Sequence, residues 1–267
     1  MSSKGVGSKG VCKLFKTAQE EGLLSAKSIQ ALNVVDIGAK IQAGLGISVD
    51  DVTASDVVLV TQMIDDSGSI SGCNNEKHVR DGHNLALEAL INSKQKDSIL
   101  ALTRYLNGLV LFPYRPIEQA IKMDSKNYIA CGGTPLYDEI IVLLGTVLAK
   151  SQEFANNGVP VRTITLITTD GRDEHSKKSK PKDVATVIKD MLKSESHIIA
   201  AMGIDDGETN FREVFAEMGV LEKWILTPKN TPSEIRKAFM VFSQSAVRAS
   251  QGAASFSKTA LGGFATP

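Results

Sequence analysis

Three runs of this chain, VVLVTQMI (57–64), VRTITLITT (161–169) and HIIAAMGI (197–204), are apolar or β-branched nearly throughout, with none of the polar alternation of a strand that has one wet face. Strands of that kind need cover on both faces. The cover is at hand, because helical segments alternate with the strands from Asp56 onward, the signature of a doubly wound sheet. The expected fold is therefore α/β and Rossmann-like: a mostly parallel central sheet with helices on both faces. One departure is also expected. SILALTRYL (98–106) and LVLFPY (109–114) are parted only by Asn107-Gly108, a strong signal for a tight hairpin, so one edge strand should run antiparallel.

The helical segments carry their own marks. EKHVRDGHNLALEALI (76–91) places Val79, His83, Ala86, Leu87 and Leu90 on one face, which reads His83 as a satisfied core residue. LYDEIIVLLGTVLAK (136–150) is apolar nearly all round, as a helix pressed against a sheet should be, and Thr134 before Pro135 reads as its N-cap. Helices are also expected at PKDVATVIKDMLK and FREVFAEM, a short strand at KWILT, and a last helix from Thr231, where Thr231-x-x-Glu234 has the form of a capping box.

The segment 1–55 reads as an N-terminal extension, a flexible arm over 1–10 followed by short helices, and 56–249 as the main domain. The small, polar stretch 250–267 reads as a flexible tail. Gly5, Gly7 and Gly10 spell GxGxxG, but with no strand before them the match means nothing for a dinucleotide.

Lysine plus arginine equal aspartate plus glutamate at 30 each, so no global field favours nucleic acid or an anionic membrane. No apolar run approaches the roughly 20 residues that span a bilayer, and the first ten residues lack a signal-peptide core, so a cytoplasmic protein is expected. Cys12, Cys73 and Cys131 have no spacing that suggests a disulfide framework or a zinc site and read as reduced thiols.

In an open parallel sheet ligands bind beyond the carboxyl ends of the strands. There the first strand leaves through Asp65, Ser67 and Ser69, the fourth leaves through TTDG with Asp170 at its tip, and Thr134 opens the apolar helix. All five offer oxygen, without thiolate or imidazole, which selects Mg²⁺, Mn²⁺ or Ca²⁺ over zinc. The plainer alternative is a serine-rich turn that caps the next helix.

Neighbouring groups read as less committed. Asp66 is expected to be exposed, and RDEHSKKSKPK (172–182) to be a solvated loop or a partner-contacting rim. Asp205, Asp206 and Glu208 lack the spacing of a calcium loop, and His175 has no serine or cysteine nucleophile to serve.

Asp65-x-Ser67-x-Ser69 at a strand end, Thr134 in a Gly-Gly-Thr-Pro loop, and Thr169-Asp170-Gly171 after an apolar strand together resemble the von Willebrand factor A (VWA) domain and its metal-ion-dependent adhesion site over residues 56–249. The resemblance implies Ser67, Ser69 and Thr134 as direct ligands of Mg²⁺ (Mn²⁺ or Ca²⁺ as alternatives), with Asp65 and Asp170 acting through water. It also implies a protein partner that supplies an Asp or Glu to the metal, while the chain's own residues show no placed base, no Walker-type phosphate loop and so no catalytic constellation. The chain looks loosely like the intracellular bacterial, tellurite-resistance-associated branch, which implies a stress or defence setting and a MoxR-class AAA+ ATPase as a partner. Two alternatives stand beside this reading: a metal-assisted hydrolase, and a structural subunit acting through its ends.

Overall fold

The computed structural model describes residues 8–33 and 37–264. Three short helices come first: α1 (Ser8–Glu20), α2 (Ala26–Leu32) and α3 (Ile37–Leu45). Then follow β1 (Val57–Ile64), the single-turn α4 (Gly68–Gly72), α5 (Glu76–Ile91), β2 (Ile99–Tyr105), β3 (Val110–Pro116), α6 (Leu136–Ala155), β4 (Val161–Thr169) and α7 (Pro181–Lys193). The chain ends with β5 (His197–Gly203), α8 (Phe211–Glu217), β6 (Ile225–Leu226), α9 (Pro232–Ser250) and α10 (Ala253–Gly262).

The six strands form one sheet in the order β3-β2-β1-β4-β5-β6. All neighbours are parallel except β2 and β3, so the antiparallel strand lies at an edge. The hairpin turns on Gly108, whose φ of +95° is the left-handed backbone that glycine adopts without a Cβ clash. Every residue of β1, β2 and β5 is buried, as unbroken apolar runs require.

Successive residues of β2 show the two covered faces. Leu102 packs against Gly44 of α3, while Thr103 Oγ1 meets His83 Nε2 of α5 at 3.0 Å. Helices α5 and α9 pack together on the α5 face. On the other, α6 lies on β1 and β4 beside α7, and α1, α2 and α3 add a further layer against α6 and α7. Chain order reverses about β1, which has β2 on one side and β4 on the other, so the crevice at the carboxyl ends of β1 and β4 is the topological switch point.

Several expectations are corrected. Helix α6 begins at Leu136 with Pro135 in the capping position, so Thr134 is not its N-cap. Thr231 does cap α9, its side chain accepting the Glu234 N–H at 3.4 Å. The arm expected over 1–10 already turns helical at Ser8; residues 1–7 lie outside the described residues.

The tail expected over 250–267 gives way to α10, which packs on α9. Phe256 is 1% exposed, Phe264 sets its ring 4.9 Å from that of Trp224, and Arg248 Nη2 donates to Gly263 O at 2.9 Å. Two aromatic anchors hold a segment whose average composition is small and polar. Residues 265–267 lie outside the described ones.

Candidate metal centre

Met63 of β1 lies level with Ile167 of β4, so two residues further on Asp65 and Thr169 meet side by side at the strand ends. Thr169 Oγ1 donates to Asp65 Oδ2 at 2.7 Å, and the Asp170 N–H reaches the same oxygen at 3.3 Å. The other carboxylate oxygen, Oδ1, accepts the Ser67 N–H at 2.7 Å, and the backbone O of Asp65 accepts from Tyr128 Oη. Asp65 is thus fully enclosed and its orientation set from four directions.

Ser67 occupies the N-cap position of α4, yet its hydroxyl makes no capping bond there. It turns instead to Ser69 Oγ at 2.8 Å, and both hydroxyls face Asp170 Oδ1, at 3.4 Å from Ser67 and 2.6 Å from Ser69. The turn-capping alternative therefore does not describe these serines. Asp65, Ser67 and Asp170 are buried, while Ser69 is exposed at the rim.

The loop carrying Thr134 is stitched to the same strand end. Gly132 N–H donates to Asp66 O at 2.9 Å and Gly132 O accepts the Gly68 N–H at 3.0 Å, a one-residue parallel bridge two positions before Thr134. Thr134 is 6% exposed, and among the described residues its hydroxyl makes no hydrogen bond. The structure thus joins four of the five expected residues by direct hydrogen bonds and brings in the fifth through its loop.

Asp66 corrects the expectation of exposure, being 1% exposed. Its Oδ1 accepts the Asn107 N–H of the β2–β3 hairpin at 2.9 Å, so its side chain and backbone hold the two loops flanking the site. Sequence reading did not single out Tyr128, quoted Thr169 only as part of a motif, and weighed His175 only as a partner for a nucleophile. Thr169 sits within the noticed TTDG run, but only the register pairs it with Asp65.

The electrostatics are one-sided. Burial raises the Asp65 carboxyl above its ordinary range; burial and then the charge of Asp65 push Asp170 up to about 6. Burial is also the main force on Asp66, pushed up to about 7 against the Asn107 hydrogen bond. No ion pair among the described residues includes Asp65, Asp66 or Asp170. Enclosed carboxylates without a protein cation, ringed by hydroxyls, are a donor set that suits a hard divalent cation. Among the described residues no group of three or more His, Cys, Asp or Glu could hold a metal ion, so any ion here depends on the hydroxyls as well as the carboxylates.

The remaining candidates resolve as structure. The 172–182 loop docks on the start of α6, where Asp138 collects the N–H groups of Lys177 at 2.8 Å and Ser179 at 2.6 Å. Asp206 is spent on its own turn, accepting from Thr209 N at 2.7 Å and Oγ1 at 2.6 Å. His83 is buried against Thr103 and Asn84, and burial pushes it down to about 4. The three cysteines are free and exposed. No helix among the described residues is long and apolar enough to cross a membrane.

No family model matches the chain, and no curated protein matches it. Among solved structures, the pilus adhesin SpaC from Lactobacillus rhamnosus GG in its open conformation aligns with a TM-score of 0.53 at 13% identity, over 72% of this chain and 30% of that one. The chain thus spans under a third of the adhesin. A von Willebrand factor type A structure from Catenulispora acidiphila aligns at 0.47 and 17% identity, over 73% of this chain and 44% of that one. The SpRpn10 VWA domain aligns at 0.48 and 12%, over 68% and 93%. At these identities the likeness is one of fold. The six-stranded, mostly parallel sheet with one antiparallel edge pair and helices on both faces is the Rossmann-like fold expected from the sequence, and the adhesin shares that fold over 72% of this chain.

Proposed function

We propose that this chain is a metal-dependent protein recognition module in which Ser67, Ser69 and Thr134, with Asp65 and Asp170 behind them, hold Mg²⁺ at the switch point of the sheet. The observation that carries the reading is the pairing of buried Asp65 and Asp170 with the Ser67 and Ser69 hydroxyls at the ends of β1 and β4, without a lysine or arginine partner. An ion held largely by neutral hydroxyls keeps most of its charge and draws in an outside carboxylate, which here is an Asp or Glu of the partner. Asp65 keeps the strand ends in register, and Asp170 orients the two serines.

The function proposed is recognition without a catalysed step. A MoxR-class AAA+ ATPase as partner and a bacterial stress or defence setting are finer parts of the proposal and rest on the sequence resemblance alone.

The test is affinity capture from the native lysate by wild type and Thr134→Ala, each with Mg²⁺ and with chelator, alongside calorimetric titration of Mg²⁺. The proposal expects a partner lost from both the variant and the chelated sample. Capture that is equal in all four samples would overturn it and move the function to another face.

A further inference from the structure

Resting on the metal reading above, we infer that His175 is a positioning residue for Thr134, and that the segment after Asp170 exists in part to keep the Thr134 hydroxyl free for the ion. His175 Nδ1 accepts the Thr134 N–H at 2.9 Å. In the other direction, Thr134 O accepts the N–H groups of Glu174 at 3.1 Å and His175 at 3.2 Å. The peptide units on both sides of Thr134 are thus gripped by one short stretch of chain. The ring lies so close over Gly133 that a Cβ there would come within 2.9 Å of Nδ1, so the clamp requires glycine at that position.

The grip belongs to a larger arrangement. A helix start leaves backbone N–H groups without intrahelical partners, and a Ser or Thr just ahead of it ordinarily spends its hydroxyl on them. At α6 that work is done from outside. Asp173 Oδ1 takes the Tyr137 N–H at 3.4 Å and Ser176 Oγ takes the Asp138 N–H at 3.0 Å. Thr134 is relieved of capping, and its hydroxyl makes no hydrogen bond among the described residues. The same segment starts beside Asp170, so it ties one metal-site loop to the other and sets their relation. His175 acts through Thr134: an imidazole that accepts the Thr134 N–H at Nδ1 carries its proton on Nε2, which is then a donor and has no lone pair for an ion.

The experiment compares wild type, His175→Ala and His175→Asn in the full chain; the Asn Oδ1 can accept the bond that Nδ1 accepts. Calorimetry reads Mg²⁺ affinity, melting in chelator reads the fold, and hydrogen exchange in chelator reads protection of the Thr134 amide. We expect His175→Ala to lose about tenfold or more in Mg²⁺ affinity, the scale for removing a group that orients a ligand. Its Thr134 amide should exchange faster with the melting temperature kept, and His175→Asn should recover most of both losses. Equal Mg²⁺ affinity in His175→Ala and wild type would overturn the inference. A wild type that binds no Mg²⁺ while its Thr134 amide is protected by His175 would overturn the metal reading instead, leaving the clamp as a purely structural cap.

Discussion

Two clusters of buried negative charge lie close together at the carboxyl end of this sheet and are handled in opposite ways. Glu139 of α6 is 2% exposed and meets Arg104 Nη2 at 2.7 Å, with Lys40 of α3 on its other oxygen. Asp65, Asp66 and Asp170 are buried to a similar degree and have only neutral donors. A buried carboxylate needs compensation, and the fold supplies it in the first case from its own side chains. In the second it supplies hydroxyls and backbone N–H groups, which orient carboxylates without neutralising them. The first cluster is architecture, joining α3, β2 and α6; the second, on the function proposed above, is where a cation from outside would sit.

The largest effect expected from breaking this contrast is at the balanced cluster. Arg104→Met should cost about 3 kcal/mol, because Glu139 keeps only the half-exposed Lys40. The loss should be the same with Mg²⁺ or chelator in denaturant melts, whereas the double change Arg104→Met with Glu139→Leu should regain most of it. A Mg²⁺-sensitive loss would mean that the two clusters are one functional unit.

Buried bases sharpen the point, for a titratable group without a counter-charge gives its charge up. Burial holds His83 and His197 down to about 4 from an ordinary 6.5, so both are neutral in the fold. Their contribution to stability is complete above pH 6.5. It is lost as pH falls from 6.5 towards 4, where the unfolded chain takes up protons that the fold refuses, at about 3 kcal/mol or less for each. Imidazole NMR signals of both residues should stay in the neutral position at pH 5.5; titration of either near 6.5 would sink the prediction.

Asp170→Asn should act with the opposite sign to Arg104→Met when metal is removed. It deletes an uncompensated charge beside Asp65 while keeping an acceptor for Ser69, so stability in chelator should rise by about 1 kcal/mol. The rise in melting temperature that Mg²⁺ gives the wild type should vanish. Destabilisation in chelator would show that the carboxylate is structural after all.

The smallest change in the fold is expected from Ser69→Ala. Ser69 is exposed, so stability in chelator should move by no more than about 0.5 kcal/mol. Mg²⁺ affinity should still drop about tenfold, or ~1.4 kcal/mol. Unchanged affinity would remove Ser69 from the ligand set.

The sequence by itself determined the sheet. Unbroken β-branched runs are stable only between two covering layers, and Asn107-Gly108 dictates a hairpin, so strand identity, the antiparallel edge and the loops bearing Asp65, Ser67, Ser69, Thr134 and Asp170 were legible from local pattern. What the polar groups do with their hydrogen bonds was decided only by tertiary structure. Asp66 finds Asn107 41 positions away, Thr134 finds His175 at the same separation, and Thr169 finds Asp65 104 positions away. Likewise Phe256 and Phe264 turn a tail-like composition into a docked helix because a hydrophobic site for them exists on α9 and beside Trp224. Periodicity and propensity act over a few residues and fix which face a side chain takes. Partners, burial and charge balance depend on which distant strand and loop arrive at that face, and register alone sets that.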